Sequence, residues 1–448
     1  MPYEGEYAGY KPLQRITESQ RVQGLLKRAR VYQRVGVGVQ LKPNQRPESS
    51  EPLPKYVAAI DGSHAEVDVK NGYPGAKVGY CTVASVLLDL EQVGKLDEHR
   101  PVDPRLFRKT EEASTIDAAF PGCNVVTRTN ASACVSFREA LYENFHDLII
   151  DAEDGKSLLD TYEYLLTKKP STGKGELCPY AAEDCHQHFS IGSGLTSCAC
   201  PRQYPIYSTD ALRIHERFHD FGTNGEAFGE IMQVWERVLL VHLLRWFERK
   251  KLLSRLNKLA FFIDGPLAVF GHPAWLSHAI KAELKRINAM VRAETSQDLL
   301  LLGIEKSGTF VTHFEEIDRT ESGEPSFKGG DYILLTDPYI KERVIFSSST
   351  KPYGEDTYFG RKFFYKTSGG ARIVASMPYL SDEQDTLLSD DVALYPSFGL
   401  LCKILDKVAS SQYPNSLAPI ISAHSHAAIP LELGTKVLQQ LAKALVAQ

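Results

Sequence analysis

Apolar residues along the chain follow two rhythms. Short unbroken runs, as in "KYVAAID" and "KLAFFID", have the length and continuous apolar character of strands buried on both faces. The first is followed by "KVGYCTVASVLLDL", which predicts one or two strands able to form a hairpin with it. Later runs, "DLLLLGIEKSG", "DYILLTDPYI", "RVIFSS", "TYFGRKFFYKT" and "ARIVASMPYL", suit further strands of a mixed sheet. Between them apolar positions recur every three or four residues. This spacing predicts a helix of some 25 residues from Gly225, "GEAFGEIMQVWERVLLVHLLRWFERK", and a second after Pro273, "AWLSHAIKAELKRINAMVRA". Helices are also predicted near 130–147 and 155–167, and helical spacing returns over 383–410 and 430–447. Strands alternating with helices in this order predict an α/β fold, a mixed sheet flanked by helices, and no repeat at a solenoid period is visible.

Residues 1–55 mix charged and polar positions and end in the Pro/Ser-rich "LKPNQRPESSEPLPK", which predicts a mostly helical arm followed by a linker. Residues 56–448 form the predicted main domain. Within it, 91–215 is the least regular stretch and is read as a large insertion carrying a Cys-rich loop at 178–200.

Composition narrows the function classes. With 448 residues, 43% apolar and 24% charged, the chain can bury a large core. A net charge of -5 argues against bulk electrostatic capture of nucleic acid but allows a local basic groove. No run of about 18 apolar residues appears, and the start has neither an apolar signal region nor an acid-poor, Arg-rich character. The expected location is the cytoplasm, with no membrane partner. Scattered Cys81, Cys123, Cys134 and Cys402 suit reduced core thiols. "GSGLTS" and "SGG" lack the Lys-Ser/Thr pair of a phosphate-binding loop, so the chain is not expected to hydrolyse ATP itself.

The candidate chemistry lies in a repeated detail. "AIDGSHAEV" and "FFIDGPLAVF" each end an apolar run on an aspartate followed by glycine. Asp61 and Asp264 could each cap a turn, as such residues often do. If the two strands are neighbours, however, the carboxylates converge as hard oxygen ligands of the kind Mg²⁺ or Mn²⁺ requires. A third ligand is offered by Glu236, which shares an apolar stripe with Met232, Leu240, Leu243 and Phe247 and should point at the sheet; a structural ion pair with a buried arginine is the alternative. Glu230 sides with Gln233 and Arg237, which predicts a polar face. Near the C-terminus, "YPNSLAPIISAHSHAAIP" offers His424, with His426 as runner-up, as a second-metal ligand or a group that positions water, against the plainer role of a core or capping histidine.

Taken in order, these motifs resemble the NurA nuclease family: "AIDGSHAEV", the acid-bearing helix before "FFIDGPLAVF", a lysine after the strand in "LLGIEKSG", "LLTDPYIKERVI", "ARIVASMPY" and the terminal "YPNSLAPIISAHSHA". The resemblance covers most of the chain from about residue 55, weakly through the insertion. It implies an RNase H-like core, a two-metal nuclease site preferring Mn²⁺ with Mg²⁺ as the other ion, a homodimer around DNA, and partnership with a HerA-type hexameric ATPase in processing DNA ends. By position it assigns metal binding and catalysis to Asp61, Glu236, Asp264 and His424, and matches Lys306 to the family's basic residue, a point charge for phosphate; a solvated loop lysine is the alternative there. Pro266 stands where the family more often has serine. Two other functions compete with a nuclease: an inactive, nuclease-derived adaptor that docks on the ATPase and binds DNA ends, and an enzyme acting on small phosphates.

Two further features stand apart from the acids. Cys178, Cys185, Cys198 and Cys200, with His186 and His188 among them, suggest a structural Zn²⁺, since zinc favours four S or N ligands. Offsets of seven and two positions fit a zinc ribbon poorly, so loop cysteines without a ligand, or a redox role, stand beside that reading. "RWFERKKLLSRLNK" and "RKFFYK" mix cations with aromatics as a DNA groove does, or as the solvated side of a helix or strand does.

Overall fold

The computed structural model describes residues 10–29, 42–70, 75–93, 111–127, 130–170, 173, 175–181, 184–319, 323–385, 388–409, 417–429, 437–440 and 443. The chain divides into a small unit, Met1–Gln40, and a large one, Leu41–Gln448. In the small unit, helices α1 (Lys11–Glu18) and α2 (Gln20–Arg28) bury no residue, and Leu13, Ile16, Leu25 and Leu26 are exposed.

The large unit is built on one nine-stranded sheet. Its strands are β1 (Asn44–Gln45), β2 (Tyr56–Lys70), β3 (Ala76–Asp89), β4 (Glu111–Pro121), β9 (Leu259–Asp264), β10 (Leu300–Glu305), β11 (Asp331–Leu334), β12 (Gly360–Lys366) and β13 (Arg372–Pro378), ordered β1-β11-β12-β13-β10-β9-β2-β3-β4. Strands β2, β9 and β10 run parallel, and the other pairs are antiparallel. The remaining strands form two small ribbons: β5 (Glu176–Leu177) with β6 (His188–Phe189), and β7 (Leu195–Ser197) with β8 (Pro205–Tyr207).

The unbroken apolar runs have a plain cause, because successive side chains point to opposite faces and both faces are covered. Ala58, Ile60, Phe261 and Ile263 enter one core, and Val57, Ala59, Ala260 and Phe262 enter the other. The turn α3 (Leu90–Val93) follows β3. Over the first face pack α4 (Ala133–Asp147), α5 (Leu158–Leu166), α6 (Gly225–Arg249) and α7 (Leu276–Thr295), with Trp235, Phe137 and Tyr162 buried at the centre. After α8 (Thr309–Ile317) and the short α9 (Asp337–Tyr339), helices α10 (Phe398–Val408) and α11 (Ala418–Ala427) cover the other face through Phe398, Leu405, Ile420 and Ala423. Among the described residues no helix is long and apolar enough to cross a membrane.

The mixed sheet flanked by helices, the β2–β3 hairpin and helices α4 to α7 match the expected elements. Other expectations are corrected. Strand β4, within the stretch read as an insertion, is the edge strand of the main sheet. "RVIFSS" is not a strand: the chain after Asp337–Pro338 turns helical and continues as a π turn over Ile340–Val344. Among the described residues of 383–410, only Phe398–Val408 is an α-helix. Most of 430–447 lies outside the described residues.

Candidate active site

Register brings the two aspartates together. Ile60 of β2 pairs with Ile263 of β9, so Asp61 follows level with Asp264, and Asp264 in turn pairs with Ile304 of β10. Lys306 comes two residues later. The same ends of three adjacent parallel strands therefore present Asp61, Asp264 and Lys306, and the lysine Nζ lies 3.3 Å from Asp61 Oδ2 and 3.1 Å from Asp264 Oδ1. A single cation, on an exposed loop position, thus bridges both carboxylates.

The two glycines after the aspartates serve different ends. Asp264 closes its strand, and Gly265 turns the chain at φ +77°, a left-handed conformation that favours glycine. Asp61 does not close its strand as expected: β2 runs on to Lys70, and only the pairing with β9 stops there. Gly62 is instead needed for close approach. A methyl group there would come within 2.7 Å of Met232 Cγ and 2.8 Å of Glu236 Oε1, both on α6.

That approach seats Glu236 against Gly62, where it forms an ion pair with a buried arginine, the alternative weighed for it from the sequence. Its Oε2 pairs with the Arg237 guanidinium, which also donates from Nε to Ala268 O at 3.2 Å and from Nη2 to Asp264 O at 3.3 Å and Pro266 O at 3.2 Å. Arg237 is 4% exposed, not part of a polar face; burial pulls its pKa down to about 10 against the opposing pull of Asp264 and Asp61. Glu230 is buried as well, with Arg217 Nε 2.5 Å from its Oε1. Glu248 pairs with Arg286 at 2.6 Å. Of the three glutamates, Glu236 is the one set against Gly62.

From the opposite face, α11 brings His424, whose Nδ1 lies 3.0 Å from Asp61 Oδ2 while the ring stays more than half exposed. His426, on the same helix, is exposed. Asp264, Lys306 and His424 line a cleft of about 720 Å³ with Gly265, Pro266, Glu305, Ser307, Ile421 and Ser425. Asp61 is 2% exposed and meets the cleft through Lys306 and His424. Its pKa is pushed up to about 6, by burial first and by Asp264 second, with Lys306 and His424 pulling the other way.

This donor set fits a divalent cation. The buried Asp61 carboxylate, its proton affinity raised by burial and by Asp264, needs positive charge, and carboxylate oxygens are the hard ligands Mn²⁺ and Mg²⁺ take. The acids are not drawn as tightly as a closed metal site: among the described residues, the one group of three or more candidate ligands with all atoms within 4.8 Å of one another is Cys178, Cys185 and Cys198.

The sequence missed Arg237 and Glu305, the latter directly before Lys306 and paired with Lys362. The basic stretches are corrected. In "RKFFYK" Arg361, Lys362 and Lys366 are buried within β12. In "RWFERKKLLSRLNK" Arg245, Arg249 and Lys250 pair with Glu283, Asp154 and Asp151. These paired and buried cations hold the fold together, while Lys251, Arg255 and Lys258 of the longer stretch are exposed.

A family model, the NurA domain, matches residues 55–429. The chain belongs to the NurA family. Membership makes it one of a family of nucleases, and the match starts at the β2 region and runs past His424. Among solved structures, the NurA nuclease from Sulfolobus solfataricus is 12% identical, with 98% of this chain and 97% of that one covered and a TM-score of 0.35. Another NurA crystal structure is 12% identical, with 90% of each chain covered and a TM-score of 0.29. No curated protein matches the chain.

Proposed function

We propose that this NurA-family chain is a Mn²⁺- or Mg²⁺-dependent deoxyribonuclease with an RNase H-like core, hydrolysing phosphodiester bonds at DNA ends. The observation that carries this reading is the shared ammonium: Asp61 and Asp264, from neighbouring parallel strands, both contact Lys306 Nζ at the mouth of an open cleft. The antiparallel strands β4, β3 and β2 running on into parallel β9 and β10, with acids at the parallel ends, support the RNase H-like core.

Asp61, Asp264 and Glu236, with His424, would hold the ions, and Arg237 pairs with Glu236 and holds the Asp264 loop in place. When bound, divalent cations supply Lewis acidity to water and to the phosphodiester oxygens. Lys306 offers its charge to a substrate phosphate. His424 is exposed to the cleft on one side and fixed by Asp61 on the other, so its ring can accept or deliver a proton there. The cytoplasm, a homodimer and a HerA-type ATPase that feeds DNA to the cleft complete the proposal.

One observation favours the adaptor reading: every acid of the site already has a basic partner in the chain. A dead adaptor, however, gains nothing from holding Asp61 buried with a raised pKa. The deciding assay incubates the protein with end-labelled single- and double-stranded DNA in Mn²⁺, Mg²⁺ or chelator, alone and with the ATPase. Metal-dependent cleavage that vanishes in Asp61→Ala is expected. Binding without cleavage under all conditions selects the adaptor, and full activity in Asp61→Ala removes the site.

A further inference from the structure

The cysteines form a second cluster, independent of the acids. Each small ribbon carries two of them in its connection: Cys178 and Cys185 between β5 and β6, Cys198 and Cys200 between β7 and β8. Backbone bonds close both connections, with the Cys178 amide donating to Gln187 O at 2.9 Å and the Cys198 amide to Tyr204 O at 2.8 Å. All four side chains are buried, at 1%, 5%, 3% and 8% exposure, and none is in a disulfide. His186 and His188, in the same stretch, are exposed and point to no shared site.

Three of the sulfurs face one another, and the fourth, that of Cys200, touches two of them while lying outside that close group. Those of Cys178, Cys185 and Cys198 lie within 4.8 Å of each other, Cys185 Sγ is 3.6 Å from Cys198 Sγ, and the Cys200 thiol contacts both Cys185 and Cys198. Four sulfurs at about 2.3 Å from a tetrahedral zinc would stand roughly 3.8 Å apart. Backbone amides of Tyr180, Cys200, Arg202 and Tyr204 are directed at the sulfurs, as donors to thiolates.

The ribbons need such a staple. Strands of two and three residues cannot hold a hairpin in water by themselves. Across the cluster the Tyr180 and Tyr204 rings stack at 4.0 Å, one from each ribbon, and Arg138 of α4 lies 4.5 Å over Tyr180. Arg138 is itself held by two bonds to Asp210, at 2.7 and 2.6 Å, and donates to Pro205 O. The cluster is thereby fastened to the helical layer.

We propose that Cys178, Cys185, Cys198 and Cys200 bind one structural Zn²⁺ as four thiolates, joining the two ribbons into a single knuckled unit. The site is closed by its four ligands and has no open position, so its role is to hold the fold. Full-length protein purified without chelator and analysed by plasma mass spectrometry should contain one zinc per chain, in the wild type and equally in Asp61→Asn, which separates this site from the acidic cleft. A mercurial reagent should release that zinc together with four thiols unreactive in the native state. Cys185→Ser should lower zinc at least tenfold. Zinc-free wild-type protein with four freely reactive thiols, iron in place of zinc, or disulfides trapped by alkylation without reductant would each overturn the assignment.

Discussion

Asp61 and Asp264 are distant in sequence and meet through the register of three long parallel strands, whereas the four cysteines are near neighbours brought together by two ribbons of minimal length. The acid site sits on elements buried from both sides, so its geometry survives the loss of a ligand. The cysteine unit has little core of its own, a handful of residues around Val135, Tyr180 and Ile206, so its geometry depends on what the sulfurs hold. A ligand removed from the first costs chemistry; one removed from the second costs structure.

The sharpest break of this contrast is Asp61→Asn. Cleavage in Mn²⁺ should fall by about a thousandfold or more, as for other groups that act as a unit, while the metal-free melting temperature stays level or rises, because a buried carboxylate repelled by its neighbour Asp264 is gone. A melting temperature that drops with activity would make Asp61 a structural residue. Next in size, Cys185→Ser should cost about 3 kcal/mol or more in denaturant unfolding, with the loss of proteolytic protection confined to the ribbons; unchanged stability would detach the cysteines from the fold. Gly62→Ala tests the approach of α6 to β2 and should cost about 1–3 kcal/mol as the helix is pushed off, with a larger fall in cleavage than a comparable core change elsewhere produces.

An effect of similar size is read from pH. His242 is buried, with Nδ1 2.8 Å from Thr161 Oγ1, and burial pulls its pKa down to about 4. The unfolded chain binds that proton more readily, so stability should fall as pH drops from about 6.5 towards 4, by on the order of 2–3 kcal/mol. Asp61 has the opposite sign: its raised pKa makes metal-free protein lose stability as pH rises from about 4 to 6, by a similar amount. His242→Gln should flatten the first slope and Asp61→Asn the second, as measured by denaturant unfolding across that range.

Much of the acid site was legible in the sequence because buried parallel strands write themselves as unbroken apolar runs, and a charge at the end of such a run stands out. The burial of Glu236 was legible from its stripe on α6, and its pairing with Arg237 is the structural ion pair weighed as the alternative. Arg237 was not, since its position beside Glu236 looks polar until the β9 loop folds over it and supplies three carbonyls. "RKFFYK" misled because cations on a central strand read as surface, although Glu305 and Asp318 neutralise Lys362 and Lys366 from within. The closeness of the cysteines was not legible from their spacing, since sequence offsets ignore the ribbons: each loop returns to its own strand and brings three of the four sulfurs within 4.8 Å of one another. The strand continuing past Asp61 was hidden by "GSH", polar residues on a ribbon that pairs on with β3.

Lys306 acts as a resident competitor. With its ammonium already stationed between both carboxylates, an entering ion gains only the difference between its own attraction and the one it displaces. Under the proposed function, occupancy of the cleft would be set as much by where that side chain goes as by the acids themselves, and a phosphate that drew it away would make room for the ion at the moment a substrate arrived.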